Sequence, residues 1–217
     1  MNIEQARFNM IEQQIRPWDV LNTNILDLLY EVRREDFVPA NRLDLAFVDM
    51  EIPLEFEENM LSPKLEARLI QELKVHPSHK TLQIGTGSGY MAALLSRLSA
   101  HVTTVEIHSG LAQQAQKKYH EMSFNNITVE VGNGATGWPN TGLWDAVLIT
   151  GSLPLFPQSY LDILAPGGNL VAIIGDAPAM AVQRWRKDRQ GHITRELLFE
   201  TVVKPLRHAM QPVRFEF

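Results

Sequence analysis

Short apolar segments alternate with helical segments from residue 81 to residue 175, and this alternation constrains the fold more than any other feature. Five segments have the apolar, β-branched composition of strands: TLQI, VTTVEI, ITVEV, WDAVLIT and NLVAIIG. The segments GYMAALLSRLS and SGLAQQAQKKYHEM, which lie between them, have helical spacing, and Ser109 is the expected cap of the second. Because parallel strands need crossover connections, the alternation predicts a parallel sheet wrapped by helices.

The two ends of the chain have different patterns. Three helices are predicted before residue 75, in IEQARFNMIEQQI, TNILDLLYEVR and SPKLEARLIQELKV. In the first of them, Phe8, Ile11 and Ile15 recur at helical spacing. At the other end, AVQRWRKDRQGHITRELLFETVVKPL has a turn sequence near its middle and predicts an antiparallel hairpin that closes the sheet.

Composition excludes several classes of protein. The 217 residues carry a net charge of −5 and have no cysteine, so disulfides, thiolate metal sites and a basic surface for nucleic acid are not expected. The histidines show no metal-ligand spacing, and we expect no metal. The first residues do not have the pattern of a secretory signal, and no stretch reaches the roughly 20 apolar residues of a membrane span. We therefore expect a cytoplasmic protein without a membrane partner.

The segment LQIGTGSGY joins a predicted strand to a predicted helix through three glycines. In this context a glycine loop lets a ligand approach the main chain closely, which predicts a ligand-binding loop at Gly85, Thr86, Gly87 and Ser88. Tyr90 stands where a dinucleotide fingerprint would have its third glycine. The spacing thus favours S-adenosylmethionine over a dinucleotide. The alternative is that a tight strand-to-helix turn needs glycine without binding anything.

Two further elements fit an adenosine-containing ligand. Glu106 ends the next strand about 20 residues after the glycine loop, where an acid can accept hydrogen bonds from both ribose hydroxyls. Asn133 and Gly134 follow the third strand, where Asn133 could bond an adenine edge and Gly134 leaves room for the ring. A simple Asn-Gly turn is the alternative for this pair.

Taken together, these motifs resemble those of the protein-L-isoaspartate (D-aspartate) O-methyltransferases, which repair proteins by methylating isomerised aspartyl residues. The segments REDFVP, LAFVD and IPL carry the most specific part of the resemblance, and LQIGTGSGYMAALL, NITVEVGNGATGWP and LAPGGNLVAIIG extend it. The resemblance implies a three-layer, Rossmann-like α/β class I methyltransferase fold with a mostly parallel seven-stranded sheet. Residues 1–217 would form one domain, with a helical, substrate-side segment at 1–75 and a cofactor-binding core at 76–217.

The resemblance also assigns roles to residues. It implies that Gly85, Thr86, Gly87, Ser88, Glu106, Asn133 and Gly134 bind S-adenosylmethionine. It further implies that Ser62 is the catalytic serine beside the methyl group and the acceptor carboxylate. From its position before Pro63, Ser62 could equally be a helix cap. The partner would be a protein or peptide that contains isoaspartyl residues, and the oligomeric state is left open.

The chain differs from the family pattern at several positions of the expected site. Met60 replaces a threonine, Glu57 and Glu58 replace a glycine-rich approach, Gln83 replaces an acid before the glycine loop, and Arg207 follows the Pro-Leu pair near the C-terminus. Two alternatives follow from the differences between Glu57 and Lys64 and in the pocket. The enzyme could methylate another acceptor, or the protein could bind the cofactor without catalysis.

Overall fold

A computed structural model describes residues 2–139 and 142–213 of the chain. Six α-helices are present in the described residues: α1 (Ile3–Asn9), α2 (Thr23–Glu31), α3 (Pro63–Leu73), α4 (Tyr90–Leu98), α5 (Ser109–Glu121) and α6 (Ser159–Asp162). A two-stranded ribbon consists of β1 (Ile52–Pro53) and β2 (Asn59–Met60). The main sheet contains β3 (Lys80–Ile84), β4 (His101–Glu106), β5 (Ile127–Val131), β6 (Trp144–Leu153), β7 (Leu164–Asp176), β8 (Ala179–Lys187) and β9 (Ile193–Glu200).

The seven strands of the main sheet lie in the order β5-β4-β3-β6-β7-β8-β9. The first four pairings along this order are parallel, whereas β7–β8 and β8–β9 are antiparallel. The predicted strands and the C-terminal hairpin are therefore confirmed, together with the predicted α/β architecture and its mostly parallel seven-stranded sheet. The chain moves from β3 to β4 and β5 on one side and then returns to β6 on the other. Such a reversal opens a ligand crevice at the carboxyl ends of the central strands.

The three N-terminal helices are found, but the first differs from its prediction. α1 ends at Asn9 and a π-helical segment continues from Met10 to Ile15, in which the amide of Arg16 donates to the carbonyl of Ile11. Ile11 and Ile15 are buried, but Phe8 is 47% exposed. A π-helix has more residues per turn than an α-helix, so it rotates Phe8 away from the buried face.

The caps of two other helices show how local sequence sets a boundary. Asn22 caps α2, because its side chain accepts a hydrogen bond from the amide of Asn24. The expected cap of α5 was wrong by one residue: His108 is the cap and Ser109 is the first helical residue. His108 takes this place because the Glu106 carboxylate accepts a hydrogen bond from its amide, which fixes the chain before the helix begins.

A buried ion pair joins the N-terminal segment to the core. Arg34 and Glu66 of α3 are both almost inaccessible to solvent and form a salt bridge. Arg34 also donates to the carbonyl of Ala46 at 3.1 Å and to the carbonyl of Leu61 at 2.7 Å. Burial raises the pKa of Glu66 to about 7, even though the Arg34 guanidinium acts in the opposite direction. One guanidinium thus connects three separate parts of the N-terminal region.

Removal of Arg34 should destabilise the protein in a pH-dependent way. We expect Arg34→Met to lower the free energy of unfolding by about 3–5 kcal/mol at pH 8, because Glu66 is left as an unpaired buried charge. Since the folded-state pKa of Glu66 is raised above that of the unfolded chain, stability falls as the pH rises through it. The loss should therefore be smaller at pH 5, where the buried carboxyl is protonated. Urea unfolding of the wild type and the variant at both pH values measures the loss in free energy of unfolding.

Two variants serve as controls for this experiment. Arg34→Met combined with Glu66→Leu should lose less stability than the single variant and show no such pH dependence, because no buried charge remains. Arg16→Met, which removes an exposed ion pair with Glu12, should cost at most about 0.5 kcal/mol. An equal loss at pH 5 and pH 8 for Arg34→Met would contradict the role given to the Glu66 charge.

Candidate active site

A cavity lies at the carboxyl ends of the central parallel strands, next to the point where the strand order reverses. One wall is formed by the glycine loop after β3, the end of β4 and the segment after β5. The opposite wall is formed by the ribbon region and the segment that follows β9. All seven predicted cofactor-binding residues line this one cavity: Gly85, Thr86, Gly87, Ser88, Glu106, Asn133 and Gly134.

The glycine loop needs glycine for its backbone conformation and for space. Gly85, Gly87 and Gly89 all have positive φ values, 97°, 53° and 91°. A Cβ atom on Gly85 would lie 2.5 Å from the Thr150 hydroxyl oxygen, which itself donates to the carbonyls of Ile84 and Gly85. A Cβ on Gly87 would meet only Leu54, at 3.5 Å. Gly85 is therefore required by packing within the protein, whereas Gly87 leaves its backbone open towards the cavity.

Gln83, which differs from the family pattern, holds the loop from below. Its amide nitrogen donates to the carbonyl of Gly85 at 2.7 Å, and its amide oxygen accepts from the Thr104 hydroxyl at 2.8 Å. The Thr104 hydroxyl in turn contacts the Thr86 hydroxyl at 2.7 Å. Because an ionised carboxylate has no hydrogen to donate, a glutamate at position 83 could not make the bond to Gly85. The glutamine thus completes a buried network that fixes the loop.

Glu106 connects the loop to the start of α5. One carboxylate oxygen accepts from the amide of Gly87 at 2.8 Å and the other accepts from the amide of His108 at 3.0 Å. The residue is 5% exposed and lines the cavity. A carboxylate has about four acceptor positions, so two remain for the hydroxyls of a ligand. Glu106 can therefore shape the loop and accept bonds from a ribose.

Asn133 and Gly134 form the tight turn that was their alternative interpretation, and they also line the cavity. The Asn133 side-chain oxygen accepts from the amide of Ala135 at 2.9 Å. A Cβ on Gly134 would lie 2.6 Å from Ile84, and the Gly134 carbonyl accepts a hydrogen bond from Tyr160. The turn and the cavity wall are thus compatible, and a role in adenine binding stays a prediction.

Ser62 lies at the start of α3, where the cap interpretation puts it. It is the N-cap residue, but its side chain makes no capping hydrogen bond. Of the residues that the structure describes, those facing the cavity from this segment include Glu58, Asn59, Met60 and Leu61 but not Ser62. The ribbon strand β2 turns this stretch towards the cavity just before the helix begins. The catalytic role of Ser62 stays a prediction, and Asn59 is a polar residue of the same segment that lines the cavity.

A strap, residues 54–59, connects the first ribbon strand β1 to the start of β2 and has a strained backbone. Phe56 and Glu57 have φ values of 58° and 60°, a left-handed conformation that costs non-glycine residues about 1–2 kcal/mol each. The Phe56 ring stacks on His108 with centroids 4.7 Å apart, and Gly110 leaves the space for it. These contacts attach the strap to the segment that contains Glu106.

The C-terminal segment, residues 201–213, holds the strap from the other side. It is anchored to the end of β6, where the amide of Ser152 donates to the carbonyl of Lys204 at 3.1 Å and the amide of Leu206 donates to the carbonyl of Ser152 at 2.9 Å. Leu206 packs over Gly151, where a Cβ would lie 2.6 Å away. Lys204 and Arg207 then donate to the carbonyls of Glu57 and Phe56. The sequence identified Arg207 only as a difference from the family and did not predict the strap.

Comparison with known proteins assigns the family. The profile of the protein-L-isoaspartate(D-aspartate) O-methyltransferase family matches residues 5–210. The chain belongs to this family. A protein-L-isoaspartate O-methyltransferase of Protochlamydia amoebophila is 33% identical over 198 residues, which cover 91% of this chain and 94% of that protein. One of Herpetosiphon aurantiacus is 37% identical over 188 residues, which cover 87% and 83%. The predicted family, and with it the class of S-adenosylmethionine-dependent methyltransferase, is confirmed.

Solved structures show the same fold. A Plasmodium falciparum protein assigned as a protein-L-isoaspartate O-methyltransferase, solved with S-adenosyl-L-homocysteine, superposes with a TM-score of 0.78 at 18% identity. The superposition covers 92% of this chain and 97% of that one. A second protein-L-isoaspartate O-methyltransferase gives a TM-score of 0.80 at 19% identity, covering 94% and 67%. These two likenesses support the seven-stranded arrangement described above.

The cavity fits the cofactor of this class. Gly87 leaves a cradle that a Cβ would fill, and Glu106 keeps acceptor positions for hydroxyl groups. Within residues 2–139 and 142–213, no group of three or more histidine, aspartate or glutamate side chains could hold a metal ion. Over the same part of the chain, none of the helices combines the length and the apolar character needed to cross a bilayer.

Loss of the Glu106 charge should weaken cofactor binding. We expect Glu106→Gln to raise the Kd for S-adenosylhomocysteine on the order of 10- to 100-fold, because hydrogen bonds to a charged acceptor contribute about 1.5–3 kcal/mol. The side-chain NH2 group of the glutamine would also face the backbone N–H of either Gly87 or His108, and two donors cannot form a hydrogen bond with each other. Calorimetric titration measures the Kd. Glu130→Gln, an exposed position on β5, should bind as the wild type does, and unchanged binding by Glu106→Gln would exclude the ribose role.

Proposed function

We propose that this protein transfers the methyl group of S-adenosylmethionine to the free carboxylate of isoaspartyl residues in proteins or peptides. The observation that supports this most is the match of residues 5–210 to a family named for that reaction. The cavity agrees with it, because the predicted cofactor residues line one wall and a second wall, built by the N- and C-terminal regions, remains for an acceptor.

The methyl transfer does not need acid–base catalysis by the protein. When bound, S-adenosylmethionine supplies an electrophilic methyl carbon whose bond to sulfur breaks as the bond to the acceptor oxygen forms, which leaves a neutral thioether. A carboxylate with an ordinary pKa near roughly 4 is already ionised at neutral pH, so no general base is needed. The contribution of the chain is to hold the acceptor in line and to exclude water, and such positioning is worth about 7–11 kcal/mol in favourable cases.

The two walls of the cavity would bind different reactants, one the cofactor and the other the acceptor. Gly85 to Ser88, in the loop after β3, and Glu106, at the end of β4, would hold the cofactor. Asn59, Met60 and Leu61 come from the segment that Arg34 holds through the Leu61 carbonyl, and they would contact the acceptor. Met60 and Leu61 add apolar surface to a wall that also contains charged side chains, and this apolar surface would exclude water from the reacting oxygen.

The proposed substrate is tested by selectivity between isomeric peptides. With methyl-labelled S-adenosylmethionine, the wild-type protein should transfer label to an isoaspartyl peptide and form a base-labile ester. The matched peptide with a normal aspartyl residue should receive no label above background, because its carboxylate is displaced by one methylene. Transfer to neither peptide, together with turnover of a small-molecule acceptor, would replace this proposal by the alternative of another substrate. Cofactor binding without any turnover would replace it by the non-catalytic alternative.

The role of Ser62 is tested separately. If its hydroxyl orients the acceptor carboxylate, Ser62→Ala should lower kcat on the order of tenfold, in proportion to a lost hydrogen bond of about 1.5 kcal/mol. Because the side chain makes no capping hydrogen bond, the free energy of unfolding should change by less than about 0.5 kcal/mol. Asn59→Ala is the comparison variant, since Asn59 lines the cavity. A loss of kcat in Asn59→Ala but not in Ser62→Ala would transfer the orienting role to Asn59.

A further inference from the structure

A cluster of charges connects the strap to the C-terminal segment at the cavity wall. One Glu58 carboxylate oxygen accepts from Arg207 Nε at 2.6 Å and lies 3.3 Å from His108 Nε2. The other oxygen lies 3.7 Å from Lys204 Nζ. The Glu57 carboxylate also lies 3.6 Å from Arg207 but is 89% exposed to solvent. Glu58 is therefore the centre of the cluster.

The cluster belongs to the wall that faces the acceptor. Glu58, Lys204 and Arg207 line the same cavity as the glycine loop, but they come from segments outside the parallel strands. The Glu58 side chain is 21% exposed, so its charge is only partly screened by water. Although burial acts to raise the pKa of Glu58, the hydrogen bonds from Arg207 and His108 and the charge of Lys204 bring it below its ordinary value. Glu58 is consequently an anion at neutral pH.

Three carboxylates lie on this wall, and each is compensated in a different way. Glu66 is paired with Arg34 inside the protein. Glu51 accepts a hydrogen bond from the side-chain amide of Asn59 at 2.8 Å. Glu58 is the one compensated by residues of the distant C-terminal segment. Like charges at short range oppose each other strongly in a partly buried site. Without its cations, Glu58 would repel an anionic acceptor.

We propose that Lys204 and Arg207 are specificity-determining residues of the acceptor site, which neutralise Glu58 and so allow a carboxylate-bearing acceptor to approach the cofactor. This inference rests on the proposed function in that the acceptor is taken to be an anion. Arg207 has the larger effect, because it makes the shorter contact with Glu58 and also holds the strap through the Phe56 carbonyl at 2.5 Å. Lys204 adds to it from the other carboxylate oxygen.

A double-mutant cycle with salt dependence tests this. Arg207→Gln should lower kcat/KM for an isoaspartyl peptide by about tenfold at low ionic strength, mainly through KM, because a charge is left without its partner. The loss should shrink as salt is added, since the repulsion from Glu58 is screened. Lys204→Gln should show a smaller loss with the same salt dependence. The double variant Glu58→Gln with Arg207→Gln should recover most of the activity lost by Arg207→Gln alone.

Two controls separate this effect from loss of structure. Thermal unfolding and the Kd for S-adenosylhomocysteine are measured for every variant, and a change of KM at unchanged cofactor affinity supports the proposal. Arg189→Gln removes the same charge from the exposed turn between β8 and β9 and should behave as the wild type does. A double variant as impaired as Arg207→Gln would overturn the proposal, because Arg207 would then bind the acceptor itself. Salt-independent loss, or no loss, would overturn it as well.

Separate measurements test the proposed function and the role of Lys204 and Arg207, so the failure of one is distinguishable from the failure of the other. The wild-type assay with isoaspartyl and aspartyl peptides tests the proposed function alone, whereas the inference is tested by the ratios between variants. If the wild type methylates another acceptor, the cycle is repeated with that compound. An anionic acceptor with the same ratios supports the role of Lys204 and Arg207, and a neutral or cationic acceptor overturns it.

Discussion

The buried guanidinium of Arg34 is the interaction on which the arrangement of the site depends. It pairs with Glu66 inside α3 and donates to the carbonyls of Ala46 and Leu61, so it fixes the segment on either side of the ribbon. Leu61 directly follows the ribbon strand that lines the cavity. A buried charge of this kind cannot change partners without a large cost, because no water is available to replace them. The β2 side of the proposed acceptor wall is therefore fixed from inside the protein.

The two walls of the cavity are built by different means. The cofactor wall follows from local backbone constraints, since positive φ values at Gly85 and Gly87 and the Gln83 network define the loop within a few residues. The acceptor wall is assembled from segments far apart in the chain. Its strap contains two left-handed non-glycine residues, and Lys204, Arg207 and the His108 ring contact them. Glu57, Glu58, Met60 and Arg207, which differ from the family pattern, lie in or against this strained region, whereas Gln83 lies in the other wall.

Differences from a family pattern have a physical meaning that residue type alone does not reveal. Gln83 first appeared as a missing acid, but it donates to the Gly85 carbonyl, which an ionised acid could not do. Gly151 leaves room for Leu206 of the C-terminal segment. Arg207 donates hydrogen bonds to the Glu58 carboxylate and to the Phe56 carbonyl of the strap. Gln83 and Arg207 each hold a backbone carbonyl in place, and Arg207 also compensates the charge of Glu58.

The sequence by itself determined the strands, the parallel sheet with its closing hairpin, the glycine loop, and the placing of Glu106 after the next strand. These features depend on periodicity, on backbone freedom and on the rule that parallel strands end at one edge, all of which act over short stretches. It did not determine which side chains around Ser62 face the cavity, because the pairing of β2 with Ile52 and Pro53 of β1 decides that orientation. Nor did it place Lys204 and Arg207 against Glu58, about 150 residues away. Only tertiary structure brings such distant charges together, and no local pattern records their contact.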